Sequence, residues 1–265
     1  MIPSPDATAM WRPGFPVALD ATLRLLRRGP RDPCFQYAAD GALWRTGRME
    51  TGPVTYRLTQ DALHEIGCRA WGPGAAELAD QVPELLGAKD DGSTFAPDHP
   101  LVADAHRRHP GLRIMRTTRV LEALIPAVLE QRVIRGEAFG SWRRLVTRYG
   151  DPAPGPVPVP MHVPPTAQAW RLIPSWEWHR AGDDPQRSAT AVRCATLARQ
   201  LQETVAMEPA DAERSCEQCR ASASGPPPGW PNGRSATPTR YRWATTTLRT
   251  RSAGPSSATR STTTR

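Results

Sequence analysis

Between residues 118 and 149, apolar side chains fall at Val120, Leu121, Leu124, Ile125, Val128, Leu129 and Val133. That three-and-four spacing lines one broad face of a helix, so the stripe is expected to be core. Pro126 lies inside it and removes a backbone donor, so the helix is expected to kink or restart there. The chain up to about Asp91 has another rhythm. Short extended stretches at 34–38 and 54–58 are separated by the turn signals Asp40-Gly41 and Thr51-Gly52-Pro53, which predicts a small α+β unit. After Gly72-Pro73-Gly74, residues 75–86 return to helical spacing, and Lys89-Asp90-Asp91-Gly92-Ser93 reads as a boundary.

Further along, residues 151–165 hold seven prolines, so an extended, polyproline-like connector is expected there. Asp184 and Pro185 form an N-cap and first-turn pair. Val192, Leu197, Leu201 and Val205 give the helix that follows its buried face. After Arg214 the pattern stops. Residues 221–265 contain no Asp, Glu, Lys, Ile, Val, Phe or Met, too little apolar surface to offset the entropy of ordering, so a disordered tail is expected.

Composition changes this picture in two places. The net charge of +8 suggests a nucleic-acid partner, but residues 1–214 carry 26 basic and 25 acidic groups, whereas 215–265 carry eight Arg against Glu217. The basicity belongs to the tail. Five scattered cysteines, Cys34, Cys68, Cys194, Cys216 and Cys219, read as reduced thiols. With no long apolar run and no secretory signal order, the expected location is cytoplasmic, without a membrane partner.

His99-Pro100-Leu101, Pro110-Gly111-Leu112-Arg113 and the stripe from Val120 through Gln131, Arg132 and Val133 resemble the entry to the glycosylase domain of bacterial DNA-3-methyladenine glycosylases. These belong to the helix-hairpin-helix DNA glycosylase superfamily. The segment 170–202, with Asp184-Pro185-Gln186-Arg187, is similar to the helices before that family's DNA-binding hairpin. The resemblance spans residues 1–214 and implies three parts. A small α+β N-terminal domain covers 1–92, a mostly α-helical but incomplete glycosylase domain covers 93–214, and a disordered, out-of-frame tail covers 215–265.

The family's hairpin, its Trp-Thr-Ala helix start and its aspartate-tyrosine motif are absent after residue 215. A reading frame shifted by one base permits all three in that order across 215–248. The single Lys against 33 Arg points to a GC-rich gene, in which shifted frames yield Arg, Pro, Ala, Ser and Thr. The family's catalytic aspartate would span the codons of Ala244 and Thr245, and neither residue can take its role. No catalytic residue is therefore expected in this frame, and the apolar stripe is expected to lose packing partners.

What the resemblance implies is base-excision repair. A DNA N-glycosylase of the 3-methyladenine type flips an alkylated purine out of double-stranded DNA and cleaves its glycosidic bond by water attack. It does so as a nucleoid-associated monomer without cofactor or metal. Gln131 and Arg132 match positions that meet the DNA minor groove beside the lesion. Read from the residues alone, they are the polar edge of an amphipathic helix.

Two other readings stay open. One is a non-catalytic DNA-binding protein that uses the Arg-rich tail; the other is a zinc-dependent regulator built on Cys216 and Cys219. Trp176 and Trp178 suit either base stacking or core packing, and His162 and His179 read as structural or solvent-facing.

Overall fold

The computed structural model describes residues 3–92, 95–208, 211, 212 and 214. The expected tail, with Cys216, Cys219, Ala244 and Thr245, lies outside the described residues. Five antiparallel strands, β1 (Ala7–Trp11), β2 (Phe35–Tyr37), β3 (Leu43–Arg48), β4 (Pro53–Ala62) and β5 (Glu65–Trp71), form one sheet in the order β1-β5-β4-β3-β2. Left-handed glycines sit in two of the hairpin turns. Gly41 sits at φ 79° before β3, and Gly52 at φ 140° closes the β3–β4 turn, its N–H and C=O both paired with Met49. Helices α1 (Leu19–Leu23) and α2 (Ala75–Leu85) supply Leu19, Leu23, Leu78 and Val82 to a core with Phe35, Leu58 and Ile66 of the strands.

A second apolar cluster holds Trp44 and Trp71, stacked 5.4 Å apart, together with Met161. Met161 comes from the proline-rich segment, which is not a free connector as its composition suggested. Its ends pair as β6 (Asp151–Pro152) and β7 (His162–Val163), and the intervening chain packs against the tryptophans. Gly155 is required there, because at φ 70° a Cβ would lie 2.4 Å from Trp71 Cβ. His162 N–H donates to Pro33 O at 2.9 Å, and Thr46 Oγ1 donates to His162 O at 2.6 Å. Proline suits such a segment, since it has no backbone N–H to leave unmatched.

The remaining helices are α3 (Pro100–Arg108), α4 (Val120–Leu129), α5 (Arg135–Tyr149), α6 (Ala167–Leu172), α7 (Ser175–Arg180), α8 (Pro185–Thr196) and α9 (Ala198–Glu203). Ile125, Val128 and Leu129 of α4 pack with Trp142 of α5, Trp170 of α6, Trp178 of α7 and Ala191 and Ala195 of α8. The tryptophans form a ladder, Trp142 to Trp170 at 6.2 Å and Trp170 to Trp178 at 5.7 Å. Pro126 does not interrupt α4. It is buried inside the helix, and the packing of its neighbours holds the turn despite one lost hydrogen bond. The apolar stripe ends sooner than its spacing predicts, because α4 stops at Leu129 and leaves Val133 in the following turn. The helix opened by Asp184 and Pro185 likewise divides at Leu197, so that Leu201 is buried from α9. Among the described residues no helix is long and apolar enough to cross a membrane.

Sheet and helices are joined by buried charge. Arg45 of β3 pairs with Glu122 of α4 and donates to the Tyr56 hydroxyl, and the side chains of Arg45 and Glu122 are only 8% and 11% exposed. Burial disfavours the Arg45 cation, but Glu122 and Tyr56 outweigh it and raise its pKa. Glu122→Ala leaves that guanidinium enclosed without a counter-charge and is expected to cost about 3–5 kcal/mol in urea unfolding. The apolar double variant Arg45→Met/Glu122→Leu should recover most of that loss, and a cost equal to the sum of the singles would show the pair to be uncoupled.

Candidate functional site

The positions matched to DNA contact, Gln131 and Arg132, sit side by side in the turn between α4 and α5, not on a helix face. Gln131 is half-buried and Arg132 is exposed. Arg132 adopts φ 57°, the left-handed conformation that ends a helix and usually falls to glycine. An arginine there stores about 1–2 kcal/mol of strain, so the surroundings must hold the turn in place.

They hold it from several sides. Arg187 of α8 donates Nη1–H to Leu129 O at 3.0 Å, satisfying one of the carbonyls that the end of α4 leaves free. Its Nε lies 2.6 Å from Asp184 Oδ2 and 2.9 Å from Asp183 Oδ1. Asp184 caps α8 through the N–H groups of Gln186 and Arg187, as the Asp-Pro pair predicts. Beneath the turn, Arg28 Nε pairs with Glu130 at 3.2 Å. Burial lowers the pKa of Arg28, against the opposing pull of Glu130 and Asp32. At the other end of α4, Gln202 of α9 accepts from Val120 N–H and donates to Thr118 O.

Asp32 ties this region to the sheet unit. It is buried and accepts from Trp142 Nε1 at 3.1 Å, Cys34 N at 2.9 Å and Arg28 N at 2.6 Å. Burial raises its pKa, and those three donors oppose the rise. Burial also pushes the Cys34 thiol up and the Cys68 thiol to about 12, and both are free and buried.

The aromatic and histidine candidates separate cleanly. Trp178 is in the tryptophan ladder, whereas Trp176 on the same short helix is 65% exposed. His162 belongs to β7, and His179 is exposed near the end of α7. Among the described residues no three His, Cys, Asp or Glu side chains are grouped to hold a metal ion. The sequence reading passed over Arg28, Asp32 and Asp183. Arg187 had a local signal, since it stands three residues after its capping aspartate.

Asp183 is the strained member of the group. Its side chain is enclosed, neither carboxylate oxygen has a hydrogen bond, and burial raises its pKa to about 6 against the opposing charge of Arg187. A carboxyl that binds its proton more tightly when folded stabilises the fold at low pH, and this contribution is lost as pH rises from about 4 to about 6. Asp183→Asn is therefore expected to gain about 2 kcal/mol over the parent at pH 7 and to match it near pH 4. Denaturant midpoints across that range read the difference, and parallel curves would refute the assignment.

No protein-family model matches the sequence, and no curated protein is similar to it at a significant level. Solved structures do match. A 3-methyladenine DNA-glycosylase from Archaeoglobus fulgidus aligns with a TM-score of 0.65 at 14% identity, over 79% of this chain and 73% of that one. The 8-oxoguanine glycosylase/lyase of Clostridium acetobutylicum, in complex with double-stranded DNA containing cytosine opposite 8-oxoguanine, aligns with a TM-score of 0.62 at 11% identity, over 85% and 74%. The chain thus has the fold of the DNA glycosylases.

Proposed function

We propose that this chain is built on a DNA N-glycosylase of the 3-methyladenine type, acting on alkylated purines in duplex DNA, and that in its present form it lacks the catalytic step. The observation that carries the reading is the left-handed turn bearing Gln131 and Arg132. It is held by Arg187 and Arg28 at the junction of sheet and helices, in a chain with the fold of DNA glycosylases. Strain retained on an exposed cationic residue is characteristic of a binding position. Gln131 offers donors and an acceptor to base edges, and Arg132 offers a fork of donors to phosphate or to the gap left by a flipped base.

Glycosidic cleavage also needs a carboxylate beside the sugar, to stabilise positive charge developing on the ring and to orient water. The acid next to the turn, Glu130, is already engaged by Arg28. In the resemblance, the required aspartate comes from the segment after Arg214, where this reading frame provides none. The parent polypeptide is therefore expected to release no methylated base from treated duplex DNA. A gene altered by one base across the codons for residues 211–218, so as to restore the frame, is expected to release it. Release by the parent would overturn the proposed inactivity, and silence from both would overturn the glycosylase reading.

The turn makes its own prediction. Arg132→Gly removes both the strain and the guanidinium, so the variant should gain about 1 kcal/mol in unfolding. It should also bind a duplex carrying an abasic-site analogue about 3–10-fold more weakly, in line with the loss of one charged contact. Unchanged binding by fluorescence anisotropy would remove Arg132 from the interface.

A further inference from the structure

The second half of α5 carries Arg143, Arg144 and Arg148, and Arg180 of α7 lies alongside. These four arginines, with Leu145 and Tyr149, line an open cleft of about 430 Å³. One acid lines it too. Glu177 has a side chain only 6% exposed and pairs with Arg148 Nε and Arg180 Nη1, each at 3.1 Å. Arg144 Nη1 donates to Ala181 O at 2.7 Å. These bonds engage one side of the Arg144, Arg148 and Arg180 guanidinium groups. Arg143 has neither a hydrogen bond nor an ion pair to any described residue.

Four cations against one carboxylate leave an excess of three positive charges in one cleft. Arg144 and Arg148 stand four residues apart on one helix face, where like charges work against the helix. Residues 1–214 are almost balanced in charge overall, so this excess is a local concentration of positive charge. Planar forks with free outer donors, held in an open cleft, match the phosphodiester groups of a continuous strand.

We propose that this cleft is a second DNA contact, gripping backbone phosphates of the duplex flank. Arg143 and Arg148 lie roughly 12–20 Å along the α5 axis from its start beside the Gln131–Arg132 turn. Ten base pairs span about 34 Å, so this separation lies within the length of one short duplex. The placement on a flank rests on the reading of that turn as a DNA contact. The excess of positive charge in the cleft does not depend on that reading.

The test measures binding of the full chain to an undamaged duplex of about 20 base pairs, by fluorescence anisotropy across roughly 50–200 mM salt. Arg143→Gln should make the slope of log affinity against log salt shallower by about 1, with about 3–10-fold weaker binding at low salt. Thr147→Glu, at an exposed position lining the cleft, should weaken binding at least as much. Arg107→Gln on α3, which removes the same charge elsewhere, should leave the slope unaltered.

If the two cleft variants bind like the parent, or Arg143→Gln changes the slope no more than Arg107→Gln does, the proposal is overturned. Base release by the frame-restored chain with an unaltered slope would remove the cleft and keep the glycosylase reading. A shallower slope without base release would do the reverse.

Discussion

Enclosing an arginine between a sheet and a helix removes several kcal/mol of hydration, which the fold must return through a matched anion and its hydrogen bonds. Arg45 meets that requirement with Glu122 and the Tyr56 hydroxyl, and the pair fixes where α4 lies on the strands. Asp32 does the same from the loop before β2. Its carboxylate takes the Trp142 indole N–H together with two backbone donors, so α5 is tied to the sheet unit as well. Apolar packing alone would tolerate sliding of helices over the sheet, whereas these directional contacts permit one arrangement.

The geometry of the candidate site follows from that placement. With α4 and α5 both anchored, the turn between them has little freedom, and the Arg187 contact to Leu129 O settles the end of α4. The tryptophan ladder braces α5, α6 and α7 against one another. Arg132 is thereby held in a backbone conformation that an isolated arginine would leave. Asp183 is the cost of this clamp, a carboxylate enclosed without a hydrogen bond so that Arg187 has a counter-charge while reaching α4.

Charge is distributed unevenly over a body that is nearly neutral in sum. Inside, each cation is matched by anions, as in Arg45 with Glu122, Arg28 with Glu130 and Arg187 with Asp183 and Asp184. At the surface of α5 and α7 the balance fails, and one enclosed Glu177 pairs with two of the four guanidinium groups. The overall charge of +8 gives no hint of this, because it comes mainly from residues 215–265.

Local pattern by itself determined the extended stretches that became β2 and β4, helix α2, the cap that opens α8, and the apolar residues that α4 buries. Each depends on neighbours within a few positions in sequence. The resemblance carried by residues 120–133 also pointed to the glycosylase fold and to Gln131 and Arg132. Only tertiary structure decided the rest. The proline-rich segment looked like a linker until Trp44 and Trp71 gave its Ala153, Val157 and Met161 a surface to pack on, and helical spacing ran on to Val133 until Arg132 turned left-handed. Trp176 and Trp178 differ by two positions on one short helix, yet one is exposed and the other is core, because a helix turns about 200° between them. The long-range partners of Arg45, Asp32 and Arg187, which are Glu122, Trp142 and Leu129, lie 77, 110 and 58 residues away. Such separations leave no periodicity in the sequence, and the pairing exists only once folding has removed water from around the charges.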